Sequence, residues 1–272
     1  MRQACEPTIH VRVDPTNPGK FFACCGLLEL ADRLWNGAEA WFEDGELFCM
    51  RPLEADPTID SSLPGLLRAV AGAVLRQVDP ADDYSSPIEI LSPFGFRLDW
   101  WNDKLSGGGR LKVWAGSMRG VRIARAMQSV VQRPDLQHDA LFDYGTVVHD
   151  PLEPDNKVEP FYFDSHRGSN ALPLDIGFSP DSLHMTTEAH PAVEFLCLIG
   201  LQRFRPMPTE KPRVFDYYTW PFPLSARVAP LAVCGLLQQD GCRGFRFENA
   251  FRTDQRKHKA FTPATPIGRR CP

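Results

Sequence analysis

The chain has 272 residues, with 30 Lys and Arg against 34 Asp and Glu and a formal net charge of −4. Hydrophobic residues make up 43% and charged residues 24%, a balance that argues against wholesale disorder and leaves room for one large domain or two small ones. The 25 prolines exclude a coiled coil, a bundle of long helices or a regular solenoid, and the longest apolar stretch, Phe21 to Leu28, is far short of the ~20 residues of a membrane span.

The opening Met-Arg-Gln-Ala-Cys-Glu-Pro has no apolar signal core, so a soluble cytoplasmic chain is expected. Thr8 to Val13 alternates branched apolar and polar residues, which predicts a half-buried strand. In the turn that follows, Asn17 suits an N-cap and Pro18 the first helical position. Phe21, Cys24, Cys25, Leu28 and Trp35 then recur at helical spacing until Asn36-Gly37. Ala40 to Phe42 and Glu46 to Met50 flank Glu43-Asp44-Gly45 as a hairpin. Leu66, Val70, Val74 and Leu75 form the stripe of a second helix over Leu63–Val78, and Pro87–Leu91 and Phe94–Trp101 are further strands. This β-α-β-β-α-β order predicts an α+β protein with a ferredoxin-like N-terminal half, residues 1–134. RNA-recognition modules share that framework, although their aromatic signature is missing here.

Within the same half, Asn102 to Arg110 contains Gly107, Gly108 and Gly109 and predicts a flexible basic insertion. It reads either as a hairpin along a nucleic-acid backbone or as a solvated loop; the G-x-x-x-x-G-K-[ST] pattern of a nucleotide phosphate loop is absent. A helix is expected from Ser117 to Arg133, with Arg119, Arg122 and Arg125 on one broad face. Residues 135–175 are acidic, proline-rich and expected to be loops. Their most reactive-looking cluster is Asp164-Ser165-His166, but adjacent residues cannot converge as nucleophile and base. His149 and Asp150 joining Asp164 and His166 around a metal is the alternative, and a structural role is preferred to either. Arg167 reads as structural or phosphate-contacting.

A second, irregular α+β half is expected over 135–260, followed by a basic flexible tail, 261–272. Its helix, His190 to Phe204, echoes the first: Phe21 and Gly26, and Phe195 and Gly200, stand five residues apart, and Cys234-Gly-Leu-Leu237 repeats Cys25-Gly-Leu-Leu28. Glycine inside a helix costs about 1 kcal/mol against alanine, so each marks a close approach, and two halves that each pack one such helix on a sheet are expected. Tyr217, Tyr218 and Trp220, in an aromatic strand, suit a core or interface better than base stacking. The eight cysteines contain no C-x-x-C pair, so they read as thiols without metal, and no cofactor is expected.

Charge is strongly segregated. Residues 39–98 carry eleven acids against four arginines. In 101–134, Lys104, Arg110, Lys112, Arg119, Arg122, Arg125 and Arg133 face Asp103 alone, and from Cys242 onward eight basic residues face Glu248 and Asp254. Two basic blocks in an acidic chain form a polyanion footprint, unless each neutralises an acidic face of this chain or of a partner.

The run Asp14-Pro-Thr-Asn-Pro-Gly-Lys-Phe-Phe-Ala-Cys-Cys-Gly-Leu-Leu-Glu-Leu-Ala-Asp-Arg-Leu34 resembles the opening of a bacterial CRISPR-associated family, the large or accessory subunits of type I-U (I-G) Cascade effector complexes. Pro191 to Pro206 and Tyr218 to Pro223 are similar to that family more weakly. The resemblance implies a non-catalytic subunit in antiviral defence whose partners are other CRISPR effector subunits, CRISPR RNA and target DNA, with no membrane. Sequence is then read by base pairing while protein holds backbones. The chain is short for a large subunit, which suits an accessory component, and no element suggests reading of a flanking DNA motif. The expected phosphate contacts are Lys104, Arg110, Lys112, Arg119, Arg122, Arg125 and Arg167. The alternatives are a metal- or histidine-dependent ribonuclease or phosphodiesterase around Asp164 and His166, and a pure protein scaffold.

Overall fold

A computed structural model describes residues 6–268 apart from 55, 83–84, 116–117, 132–140, 167–187, 238, 253–255 and 257. Strand β1 (Ile9–Arg12) buries Ile9 and Val11 and exposes His10 and Arg12, as its alternation requires. Helix α1 (Pro18–Leu34) starts where the Asn17 side chain accepts the Lys20 amide at 3.3 Å. From Pro18 to Ala31 every residue except Lys20 is buried, so α1 is a core helix surrounded on all sides. Strands β2 (Ala38–Glu43) and β3 (Leu47–Pro52) form the expected hairpin, and an antiparallel sheet runs β1-β3-β2.

The second helix is shorter than its apolar stripe suggests. Helix α2 (Leu63–Gly72) ends because the buried Gln128 amide donates to the carbonyls of Val70 and Ala73, at 2.8 and 2.7 Å, and Ala73 is extended. Leu75 and its neighbours form β4 (Leu75–Gln77) instead. With β5 (Ile88–Ile90) and β6 (Phe96–Leu98), β4 makes a separate three-stranded sheet and does not extend the first one beside β1. The fold is therefore mixed α+β with several antiparallel sheets, and the fourth strand of the expected β-α-β-β-α-β unit lies elsewhere. Trp100 to Asn102 form a 3-10 turn, not the end of a strand.

The glycine-rich insertion is packed. Asp103 accepts from the amides of Leu105 and Ser106 and from the Ser106 hydroxyl, and Arg205 donates to it at 2.5 Å. Gly108 opens the short helix α3 (Gly108–Leu111) so close to Trp100 that a Cβ would overlap the Trp100 carbonyl. Gly108 serves close approach and Gly107 a left-handed turn (φ 80°), so a mobile hairpin does not describe the segment. Helix α4 (Gly120–Val131) follows.

Helix α5 (Pro191–Arg203) is buried from Pro191 to Leu201 and crosses α1 at the two glycines flagged by the repeated Phe-Gly spacing. A Cβ on Gly26 would lie 2.0 Å from the Leu196 carbonyl oxygen, and one on Gly200 would lie 2.0 Å from that of Phe22. Each glycine thus faces the carbonyl four residues before the other, a locally two-fold crossing. Next to it Glu29, fully buried, is paired with Arg33 at 2.6 Å and with Arg203 at 2.7 Å.

Beyond α5 come β7 (Met207–Pro208), β8 (Val214–Tyr218), β9 (Leu224–Ser225), α6 (Ala229–Val233), β10 (Gly244–Phe251), β11 (Lys259–Phe261) and β12 (Thr265–Ile267). Strand β9 joins the N-terminal sheet at β2, whereas β10 pairs β8 on one edge and both β11 and β12 on the other. The expected free tail is therefore part of a sheet as far as Ile267, and the Ala264 amide bonds the Thr16 carbonyl at 2.7 Å. Tyr217 and Trp220 are core residues: the Tyr217 hydroxyl donates to Pro15 and the Trp220 indole to Ala40, each at 2.6 Å. Phe21 meets Phe42 on one side and Tyr217 on the other, so α1 lies between the two larger sheets and the two halves of the sequence share one core. Among the described residues no helix is long and apolar enough to cross a membrane, and the described cysteines are free thiols.

Candidate nucleic-acid interface

The arginines of α4 divide into two groups. Arg122 forms ion pairs with Asp150 and, at 3.2 Å, with Glu153, and Arg125 donates to the Leu75 carbonyl at 2.9 Å. Both therefore bind this chain itself, against the expectation that they face phosphates. Arg119, exposed just before α4, and Arg122 line a cleft of about 710 Å³ with Met118, Ile123, Lys157 and Val158. Lys104 and Arg110 are exposed, and Lys112 is half-buried with its ammonium 5.1 Å from the centre of the Trp114 ring. Arg167 lies outside the described residues.

Much of the later basic block is also held internally. Arg246 grips Asp216 with two bonds of 2.7 and 2.9 Å, and Arg252 stacks 3.5 Å over the Tyr162 ring and reaches Glu159 at 3.7 Å. Another member, Lys259, lies beside the first block. The Lys259 amide bonds the Val113 carbonyl at 3.0 Å. The buried Asn249 amide donates to the carbonyls of Arg110 at 2.7 Å and Lys112 at 3.4 Å, and the Asn249 backbone N–H bonds the Arg213 carbonyl at 2.9 Å. Two stretches more than a hundred residues apart thus lie side by side, and the charges of Arg213 and Lys112 act on Lys259. Burial first, then the charges of Arg213 and Lys112, push the Lys259 ammonium down from 10.5 to about 8. Burial lowers Lys112 as well, partly offset by Asp82.

The second concentration of polar groups is buried. Asn17, the cap of α1, donates to Asp164 at 2.6 Å; His190, which precedes α5, pairs with the other carboxylate oxygen through Nδ1. Glu194, in the first turn of α5, accepts the amides of Phe163 and Asp164 at 3.2 and 3.0 Å. The carboxylate of Asp164 therefore sits where two helix N-termini converge, the end favourable to negative charge. Burial alone would raise Asp164, but the His190 bond and charge and the Asn17 bond outweigh it and hold the carboxyl below its ordinary range. Burial opposes charge on His190 too, and Asp164 reverses that, raising the imidazole. The expected partner His166 is elsewhere, with Nδ1 3.7 Å from Asp14, and only its backbone amide bonds Asp164. His149 bonds the Pro154 carbonyl, and Asp150 is taken by Arg122. Among the described residues no group of three or more His, Cys, Asp or Glu is arranged to hold a metal.

His190 and Asn249 escaped the sequence reading. His190-Pro191 does repeat Asn17-Pro18, a polar residue before proline at the head of each glycine-bearing helix, and that repeat would have linked the two caps. Asn249, inside a basic strand, carries no such signal. Compared with known proteins, the chain matches no family model, no curated protein and no solved structure.

Proposed function

We propose that the chain is a non-catalytic, cytoplasmic, nucleic-acid-binding subunit of an RNA-guided CRISPR effector complex of the type I-U (I-G) Cascade kind, holding the backbone of CRISPR RNA or target DNA beside other subunits. The observation that carries backbone binding is the meeting of the two basic stretches through Asn249 and the Lys259 amide. The resemblance of residues 14–34 supports the assembly. The first three strands, ordered β1-β3-β2, are compatible with a ferredoxin-like start to the chain. Lys104, Arg110 and Arg119 are the outward members of the surface, while Arg122 and Arg125 shape its rim.

The test is a salt titration of labelled single-stranded RNA and DNA binding to the full chain. Charge reversal at Lys104 and Arg110 is expected to lower the slope of log K against log salt by about one per lost contact. Binding with an unaltered slope discards these contacts. Absence of binding by the chain, alone and with its co-purifying subunits, discards the function. A histidine-dependent ribonuclease has one observation in its favour, the orientation of His190 by a buried carboxylate, which is the relation a general base requires. RNA cleavage by the purified chain that is lost in His190→Ala would replace the non-catalytic assignment; intact RNA is expected.

A further inference from the structure

We propose that Lys112, Arg213 and Lys259 form a seat for one phosphodiester phosphate of the bound strand, with Asn249 as the residue that positions all three. The seat rests on the nucleic-acid reading and assigns it a specific contact.

The three cations come from separate segments. Lys112 follows α3, Arg213 stands before β8 in a left-handed backbone conformation (φ 63°), and Lys259 opens β11 opposite Phe251. Arg213 stacks 4.5 Å over the ring of that same Phe251, which fixes its guanidinium on the Lys259 side of the sheet edge. Asn249 joins the three segments: its side-chain amide holds the Lys112 carbonyl at 3.4 Å, its backbone N–H the Arg213 carbonyl, and its strand pairs with β11 at Phe261, two residues from Lys259. Backbone contacts thus bring the three segments together, whatever the repulsion between their charged ends.

Neutralisation from within is incomplete. Glu248 lies 3.6 Å from Arg213 and Asp82 acts on Lys112, but Lys259 has no ion pair among the described residues. The Arg213 Nε is buried without a hydrogen-bond partner. Gathering like charges at partly buried positions is unfavourable in the free protein, and an anion that enters the cluster relieves it. A phosphate suits the donors: a planar guanidinium for two oxygens, and ammonium groups as point charges. Lys104 and Arg110 lie on the same basic stretch as Lys112, so a strand seated here has further exposed cations beside it.

Lys259→Met, which keeps the aliphatic stem, separates this seat from general basicity. In the full chain without added anions it is expected to raise Tm by a few degrees, and to lower the RNA salt slope by about one. Inorganic pyrophosphate is expected to raise the Tm of the unsubstituted chain and leave Lys259→Met unmoved. Lys104→Glu, outside the seat, is expected to keep the pyrophosphate response. RNA binding with the full slope in Lys259→Met overturns the seat and leaves the nucleic-acid reading standing. Failure of the unsubstituted chain to bind RNA or DNA, with a pyrophosphate response that needs Lys259, overturns the phosphodiester assignment and makes the seat one for a free anion. If Lys259→Met unfolds, Lys259→Gln serves the same comparison.

Discussion

Replacing Gly26 by alanine tests the α1–α5 crossing on which the core depends. The new Cβ would stand 2.0 Å from the Leu196 carbonyl oxygen. A relaxed carbon–oxygen contact is about 3.3 Å, so the helices must move apart by roughly 1.3 Å. A gap of that order forfeits at least about a third of the dispersion energy across the seam, where a buried leucine-sized side chain makes ~50 contacts of ~0.15 kcal/mol. If about a third of those contacts cross the seam, each side chain loses about 0.8 kcal/mol, and four of them about 3 kcal/mol. Alanine returns about 1 kcal/mol of helix propensity, leaving a net loss of about 2–3 kcal/mol. Urea unfolding followed by circular dichroism measures it. Gly72→Ala, at the end of α2 with nothing within 4 Å, is the control and is expected to gain about 0.5–1 kcal/mol. Because Gly26 and Gly200 are obstructed by the same seam, Gly26→Ala/Gly200→Ala should cost clearly less than the sum of the single changes. Gly26→Ala as stable as the original chain, or strict additivity of the pair, refutes the reasoning.

The Asp164–His190 pair predicts a pH window. Asp164, held low, contributes stability above its unfolded pKa that disappears as pH falls through the folded value. His190, held high, contributes below 6.5 and loses its contribution as pH rises through its folded value. The stability difference between the original chain and Asp164→Asn should therefore be greatest between these limits, at mildly acid pH, and shrink on both sides; a flat difference from pH 4 to 9 would show that the pair is not charged. At Glu29, Glu29→Gln should destabilise by about 3 kcal/mol or more, since Arg33 and Arg203 are left facing a neutral group at a buried position. Thermal unfolding at low and at 1 M salt checks this, and a loss that vanishes in salt would place the pair at the surface.

Local signals in the sequence were reliable where the chemistry was local. The alternation of Thr8 to Val13, the Asn17-Pro18 start and the Glu43-Asp44-Gly45 turn each specify their element through nearest neighbours, and the structure has them. The Phe-Gly spacing also carried long-range information, because only a close partner explains glycine in a buried helix. The stripe Leu66, Val70, Val74, Leu75 misled: periodicity cannot see Gln128, fifty residues later, capping the carbonyls that end α2, and Val74 is exposed. The glycine run resembled a loose loop because the wall that Gly108 packs against, the Trp100 carbonyl, is visible only in three dimensions. The basic blocks were legible as charge, but their division into arginines that hold carboxylates and cations held together without enough of them depends on which acids fold beside them. Arg122 and Lys259 look alike in sequence and differ because Asp150 reaches the first, whereas among the described residues no carboxylate pairs with the second.

The crossing also constrains how this protein is made. Helix α1 is buried almost all round, and the helix that covers one side of it arrives about 170 residues later, as the Arg203 to Asp32 contact illustrates. At about 5–20 residues per second of synthesis, α1 waits on the order of ten to thirty seconds for α5 to be translated. During that interval the nascent chain carries a largely apolar segment whose native cover has not yet been synthesised, a cost of joining the first and last thirds of the chain through one crossing.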